Sequence, residues 1–269
     1  MYLKYWGLTA APFRQELAPS LFYETPTHNE ALARLAFLVD GRRRCGLLAG
    51  PSGIGKSMLL EVAASQFRRR GLSVARLSLL GANPDELLRS LAVQWGSTAA
   101  PRLEMSELWR ILQDRLAEIR LLGEHAVALL DDADETSAEI LGQVLRLLQT
   151  DPAQQPAVTV ILVARNDSVS RLGARLLELT DLRLDLAAWS ALDTRRFLER
   201  ALASAGCKAP LFTADAIAHL HEYTHGVPRS LLQLADLSLV AGAAEERELI
   251  DSDTVESVYY ELGVIETLA

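Results

Sequence analysis

Short apolar segments alternate with longer stretches of helical periodicity along the first two thirds of the chain. The short segments have the length and composition of buried strands, and they cover residues 45–49, 73–79, 126–130, 157–163 and 182–186. Between them, apolar residues recur every three or four positions, which predicts helices over residues 28–40, 56–70, 84–96, 105–122 and 136–149. Strands that alternate with helices in this way predict a parallel sheet covered by helices on both faces.

From about residue 193 onward the pattern is helical only, with predicted helices over residues 193–205, 213–224, 228–243 and 251–262. This change of period predicts a boundary near residues 187–192, between a core domain over 1–190 and a small all-helical lid over 191–269. Residues 1–26 are rich in aromatic residues and proline. We expect them to form an irregular segment that packs on the core domain.

The chain carries a net charge of -8, from 35 acidic and 27 basic residues. Such a chain gains no overall attraction to the phosphates of nucleic acids. Arginine clusters at 42–44 and 68–70 nevertheless leave a local DNA contact open. For residues 68–70 the alternative is a solvated helix end, because cations suit the C-terminal end of a helix dipole.

The cysteines and the apolar stretches of the sequence indicate the cellular compartment of the protein. Cys45 and Cys207 lie far apart and form neither a CxxC pair nor a disulfide framework. The first residues show no charged leader followed by an apolar run, and no apolar stretch reaches the length of a membrane span. We therefore expect a cytoplasmic protein.

The segment GPSGIGKS at residues 50–57 fits the phosphate-loop pattern G-x-x-x-x-G-K-[ST]. Glycines let such a loop curl so that backbone N–H groups point at phosphate oxygens, and the following helix adds its N-terminal donors. Lys56 would reach the β- and γ-phosphates, and the Ser57 hydroxyl would bind Mg²⁺. The predicted ATP-binding residues are Gly50, Pro51, Ser52, Gly53, Ile54, Gly55, Lys56, Ser57 and Met58. The alternative is a glycine-rich turn without a ligand.

Two carboxylates follow the predicted strand at 126–130. Ligands bind at the C-terminal ends of strands in open parallel sheets. Asp131 is therefore the predicted Mg²⁺ carboxylate together with Ser57. Asp132 is predicted to orient or deprotonate the attacking water, and an acidic loop without a catalytic role is the alternative.

Four further residues are candidates for contact with the γ-phosphate. Asn166 follows the strand at 157–163 and is a predicted catalytic residue, although an ordinary turn residue is an equal interpretation. Arg229 opens a predicted helix after Pro228 and could reach the γ-phosphate, with an exposed helix-start arginine as the alternative. Arg171 or Arg175 could act as an arginine finger on a neighbouring subunit, although a solvated face is the simpler interpretation of each.

Several short motifs resemble one family along essentially the whole chain. They are the opening Met1-Tyr2-Leu3 with Trp6-Gly7-Leu8 and Pro12-Phe13, the segment Phe22-Tyr23 with His28-Asn29-Glu30-Ala31-Leu32, the loop GPSGIGKS, the strand LLDDADE and the helix start GVPR. In order and spacing they resemble the AAA+ ATPases of the general secretion pathway protein A (ExeA) type, a group similar to the transposition ATPase TniB and to origin-recognition ATPases. Asp131-Asp132 stands where the family has Asp-Glu, and Ala164-Arg165-Asn166 stands where it has Gly-Gln-Pro.

The motif and the resemblance together imply a P-loop αβα sandwich with a parallel sheet, followed by a helical lid, with ATP at their junction. The resemblance implies an Mg-ATP-hydrolysing enzyme that assembles or remodels an unknown protein partner and forms a homo-oligomer on binding ATP. A switch or scaffold that binds ATP but scarcely hydrolyses it is the alternative, since Asp132 is one methylene shorter than glutamate. The membrane span and cell-wall-binding region of the full secretion proteins have no match, so a role in assembling a secretion pore is not implied.

Overall fold

The computed structural model describes residues 2–98, 103–150 and 155–267. The strands are β1 (Cys45–Ala49), β2 (Ser73–Ser78), β3 (Ala126–Asp131), β4 (Val158–Ala164) and β5 (Leu182–Asp185). The helices are α1 (Tyr2–Tyr5), α2 (Pro26–Asp40), α3 (Lys56–Arg69), α4 (Pro84–Gln94), α5 (Met105–Leu121), α6 (Ala138–Thr150), α7 (Ala174–Glu178), α8 (Ala191–Ser204), α9 (Ala214–Thr224), α10 (Pro228–Ala244) and α11 (Ser252–Thr267). The chain forms two compact units, one of residues 17–52 and 56–187 and the other of residues 2–16, 53–55 and 188–267.

The first unit contains a five-stranded parallel sheet in the order β2-β3-β4-β1-β5. Every residue of β1, β3 and β4 is buried, as expected for central strands that are covered on both faces. Alternate strand residues on one face join a core with α4, α5 and α6, in which Trp95 and Trp109 are the largest fully buried side chains. Helices α2 and α3 contact the sheet as well. The three-layer αβα sandwich predicted from the sequence is confirmed.

The strand register brings the C-terminal ends of the central strands together. Ala49 of β1 pairs with Ala164 of β4, and Leu130 of β3 pairs with Leu162 of β4. The segments that follow these three strands therefore begin side by side at one edge of the sheet. Candidate ligand-binding residues are expected at this edge, because loops after parallel strands form the usual binding crevice.

The second unit is built mainly from α8 to α11. Thr213 caps α9 through its hydroxyl, and α11 extends to Thr267, five residues beyond the predicted end. The carboxylate of Asp251 caps α11, since it accepts a hydrogen bond from the backbone N–H of Thr254 at 2.9 Å.

The N-terminal segment belongs to this helical unit. The Trp6 indole donates a hydrogen bond to the carbonyl of Leu239 at 2.8 Å, and Tyr2 donates to Asp236 at 2.6 Å. The Phe13 ring lies 6.3 Å from the ring of Phe212. Residues 2–16 therefore belong to the helical unit rather than to the core domain on which they were expected to pack, and Trp6 and Phe13 are buried.

No helix within the described ranges combines the length and the apolar character needed to cross a membrane.

Candidate phosphate and magnesium site

The segment from Gly50 to Gly55 connects β1 to α3. Gly53 has a φ of +75° and Gly55 a φ of +100°, values that L side chains rarely adopt. The backbone therefore curls between the strand and the helix, and Gly53 and Gly55 occupy the two positions that require this freedom. Helix α3 begins at Lys56, so the backbone N–H groups of its first turn are free of intrahelical partners and available to an anion.

The Lys56 side chain turns back onto the loop. Its ammonium donates hydrogen bonds to the carbonyls of Gly50 and Pro51, both at 2.8 Å. Burial lowers the pKa of this amine, whereas the carboxylates of Asp131 and Asp134 oppose the shift. An ammonium that is held only by carbonyl groups can exchange them for phosphate oxygens, which form stronger charge-assisted bonds.

Asp131 is the last residue of β3 and is only 4% exposed. Its carboxylate accepts a hydrogen bond from the backbone N–H of Asp132 at 3.1 Å. Burial raises the pKa of the Asp131 carboxyl, and the nearby hydroxyl of Ser57 opposes this shift. The structure thus brings together the two residues predicted to bind Mg²⁺. A hydroxyl and a carboxylate fit this ion, which prefers oxygen ligands and is usually shared with substrate phosphates.

Asp132 lies beside this pair but in an unusual backbone conformation, with φ 54° and ψ 37°. Its carboxylate accepts a hydrogen bond from the hydroxyl of Ser78 at 2.7 Å. Ser78 ends β2, which neighbours β3 in the sheet, so the side chain of Asp132 is held toward the next strand. Ser78 was not among the predicted site residues, although the sequence places it at a strand end.

Two polar residues, Arg165 and Asn166, follow the end of β4. Asn166, predicted to contact the γ-phosphate, is exposed and begins a 3₁₀ helix over Asn166–Leu172. The preceding residue, Arg165, instead points toward the acidic turn after β3. Its guanidinium contacts Asp134 at 3.1 Å and Glu135 at 3.0 Å. The sequence did not predict the ion pairs of Arg165, because a local sequence pattern does not indicate contacts between two different loops.

The start of α10 contacts the tip of the phosphate loop. The backbone N–H of Arg229 donates a hydrogen bond to the carbonyl of Gly53 at 3.2 Å. Pro228 occupies the first helical position, as predicted, and the Arg229 side chain is exposed. Arg229, a predicted γ-phosphate contact, is therefore joined to Gly53 of the phosphate loop by a backbone hydrogen bond.

A cleft of about 700 Å³ opens beside the turn after β3, and it is lined by Asp134, Glu135, Thr136, Arg165 and Arg171. Arg171, one of the two arginine-finger candidates, therefore faces the same space as Arg165. Arg175, the other candidate, is exposed in the short helix α7.

Comparison with known proteins identifies the family to which residues 39–172 belong. Residues 39–172 match the family of AAA domains. This part of the chain is an AAA domain. Over 269 residues the chain is 24% identical to General secretion pathway protein A of Aeromonas hydrophila, in an alignment that covers 98% of this chain and 49% of that protein. The predicted resemblance is confirmed, and the chain spans about half the length of this relative.

Solved structures with AAA+ folds are similar to the whole chain. The Aeropyrum pernix ORC1 protein in complex with DNA has a TM-score of 0.67 at 17% identity, covering 91% of this chain and 68% of that one. The Thermotoga maritima RuvB Holliday junction branch migration motor has a TM-score of 0.57 at 17% identity, in an alignment that covers 93% of this chain and 73% of that one. At these identities the likeness concerns the fold alone.

Proposed function

We propose that the chain binds Mg-ATP through residues 50–58 and Asp131 and hydrolyses it. The observation that carries this proposal is the cluster of the Lys56 ammonium, the Ser57 hydroxyl and the buried Asp131 carboxylate, whose charges and hydrogen-bonding groups shift one another's pKa. Backbone amides of the loop and the Lys56 ammonium bind the phosphates, while Ser57 and Asp131 hold Mg²⁺, which supplies charge neutralisation at the β- and γ-phosphates. Family membership in the AAA domains supports nucleotide binding.

Hydrolysis requires a group that orients the attacking water. Asp132 follows the magnesium carboxylate and is the proposed base, and Asn166 and Arg229 are proposed contacts of the γ-phosphate. Phosphate release by the purified protein, with Lys56→Ala as control, tests the activity. We expect release that depends on Mg²⁺ and is at least about 100-fold slower in the variant, since the lysine charge is lost in the transition state as well. Equal rates would refute the enzymatic proposal.

The proposed use of the cycle is to assemble or remodel a protein partner, as a homo-oligomer formed on binding ATP. The resemblance of the chain to AAA+ ATPases of the general secretion pathway protein A type motivates this proposal. Mass measurement with and without Mg-ATP tests the assembly step. We expect an increase in mass with ATP, and a monomer under both conditions would contradict it. We place the protein in the cytoplasm, where ATP is available and free thiols such as Cys45 stay reduced.

A slow ATP-gated switch is the second candidate, and the bond between Ser78 and Asp132 favours it. A carboxylate that is one methylene shorter than glutamate, and is held toward β2, is poorly placed to act as a base. Asp132→Glu discriminates between the two functions. A sharp increase in turnover is the result expected for a slow switch, whereas a collapse of turnover would show that Asp132 already acts as the base.

DNA association is a third candidate, suggested by the placement of two arginine clusters. Residues 42–44 precede β1 and residues 68–70 end α3, so both clusters lie at the sheet edge opposite the phosphate loop. An ion pair between Arg70 and Asp40 links the two chain segments. Retention of DNA in the presence of ATP that falls steeply with salt would support this function, and no retention at low salt would refute it.

A further inference from the structure

Four aromatic rings form a continuous cluster across α9 and α11. His219 and Tyr223, one turn apart on α9, have ring centroids 5.7 Å apart and planes that differ by 13°. The ring of Tyr259 on α11 continues this stack at 4.3 Å from Tyr223, with planes that differ by 8°. Tyr260 adds a fourth ring at 5.9 Å from Tyr259 and at 60° to it. Aromatic pairs at these separations attract each other, so the four rings, here named the tyrosine face, form one ordered surface.

The tyrosine face is open to solvent at α11. The side chain of Tyr259 is 38% exposed and that of Tyr260 is 61% exposed. Tyrosine is a weaker helix former than alanine or glutamate, so the helix itself gains nothing from a ring at an exposed position. Exposed tyrosines are enriched where proteins bind other proteins, because the ring can be buried while the hydroxyl keeps a polar contact. The position of Tyr260 therefore suits a contact surface.

Acidic residues flank the tyrosine face. The sequence of α9 has two acidic residues and that of α11 has four, whereas neither helix has a lysine or arginine. Glu256 lies one turn before Tyr259 and Tyr260, on the same side of α11. The pKa of the Tyr223 phenol is raised, first by burial and next by the negative charge of Glu256, with a smaller contribution from Glu222. Carboxylates are therefore close to the stacked rings.

Exposed rings beside carboxylates are the combination that attracts an organic cation. A cationic side chain over the face of a tyrosine ring is attracted by the ring quadrupole, and a nearby carboxylate adds a charge-assisted hydrogen bond. Arginine suits such a surface better than lysine, because its planar guanidinium stacks on the ring. Nucleic-acid bases also stack on aromatic rings, but carboxylates beside the rings repel the phosphates of the same chain. The chemistry thus favours a basic peptide over a nucleic acid.

We propose that the tyrosine face binds an arginine-containing basic segment of a partner protein. The guanidinium groups of this segment stack on Tyr259 and Tyr260 and pair with the carboxylate of Glu256. The surface shares no residue with the proposed phosphate and magnesium site. The inference therefore goes beyond the binding of Mg-ATP and can be tested without nucleotide.

The test is titration of the purified chain into a fluorescein-labelled peptide of alternating arginine and glycine, followed by fluorescence anisotropy. We expect saturable binding that weakens as the salt concentration rises, and no binding of the same peptide with neutral citrulline in place of arginine. Tyr260→Ala should weaken binding about 3-fold or more, the range of an exposed cation–π contact. This variant should keep α11 intact, because alanine is the best helix former. Tyr260→Phe keeps the ring and should retain the affinity.

Matched variants separate the tyrosine face from the general negative charge of the chain. Phe37→Ala removes a ring that is 62% exposed on α2 and should leave the affinity unchanged. Glu256→Gln should weaken binding more than Glu139→Gln, which removes an exposed carboxylate from α6.

Three results would overturn the inference. The first is the absence of saturable binding of the arginine peptide, and the second is equal affinity of this peptide for the parent protein and Tyr260→Ala. The third is self-association of the parent protein that Tyr260→Ala abolishes while the peptide does not bind, since a second copy of the chain would then cover the tyrosine face.

Discussion

Gly53 at the tip of the phosphate loop offers a sharp test of the loop conformation. We predict that Gly53→Ala destabilises the protein through two separable effects. A side chain at φ +75° is strained, which costs about 1–2 kcal/mol. The added Cβ would also lie 2.9 Å from the Cβ of Arg229 and 3.2 Å from a methyl group of Val227. Such overpacking typically costs about 1–3 kcal/mol, so the total loss should be about 2–5 kcal/mol.

Gly71→Ala is the matched control. Gly71 has a similar φ of +82°, but a Cβ there would have no described atom within 4 Å, so this variant carries the backbone strain alone. We expect it to lose about 1–2 kcal/mol of unfolding free energy. Urea unfolding of the three proteins, followed by tryptophan fluorescence, measures the losses. If Gly53→Ala is no more destabilising than Gly71→Ala, the contact between the loop tip and the start of α10 is not as the structure describes it.

Three further predictions follow from the same site and core. Burial raises the pKa of Asp131 in the folded protein above its value in the unfolded chain, so ionisation of Asp131 destabilises the folded protein as the pH rises through the folded-state pKa. Asp131→Asn should therefore increase the urea midpoint of the nucleotide-free protein at pH 7. The same substitution should abolish Mg²⁺-dependent nucleotide binding. Burial, with a smaller effect of Arg42, lowers the pKa of His125 from 6.5 to about 4. The unfolded chain therefore binds a proton at His125 before the folded protein does, and the free energy of unfolding should decrease as the pH falls from 6.5 toward 4. Urea unfolding across this pH range should show a decrease that is about 3 kcal/mol larger in the parent protein than in His125→Gln. Asp132→Asn should lower phosphate release by about 100-fold or more with unchanged ATP affinity, and equal turnover would exclude Asp132 as the base.

The elements that sequence reasoning identified are those determined by local patterns. The phosphate loop combines a fixed spacing with glycines at positive φ, and Asp131 follows a run of apolar residues that has the length and composition of a buried strand. Both signals are contained within a few consecutive residues. The alternation of strands and helices likewise determines the layered architecture without knowledge of any particular contact.

The contacts that were missed join distant parts of the chain. Arg165 binds an acidic turn about 30 residues earlier, and Ser78 meets Asp132 only because β2 and β3 are neighbours in the sheet. The hydrophobic periodicity of a single segment does not determine the order of the strands in the sheet. The N-terminal aromatic residues show the same limit, since their apolar character predicted burial of Trp6 but not its partner Leu239.

Calorimetric titration of Mg-ATP into the purified protein, with Lys56→Ala in parallel, tests the central claim most directly. We predict saturable binding to the parent protein that requires Mg²⁺ and is weakened about 10-fold or more by the substitution, as expected for the loss of one charged contact to phosphate. Absence of binding, or equal affinity in the two proteins, would contradict it.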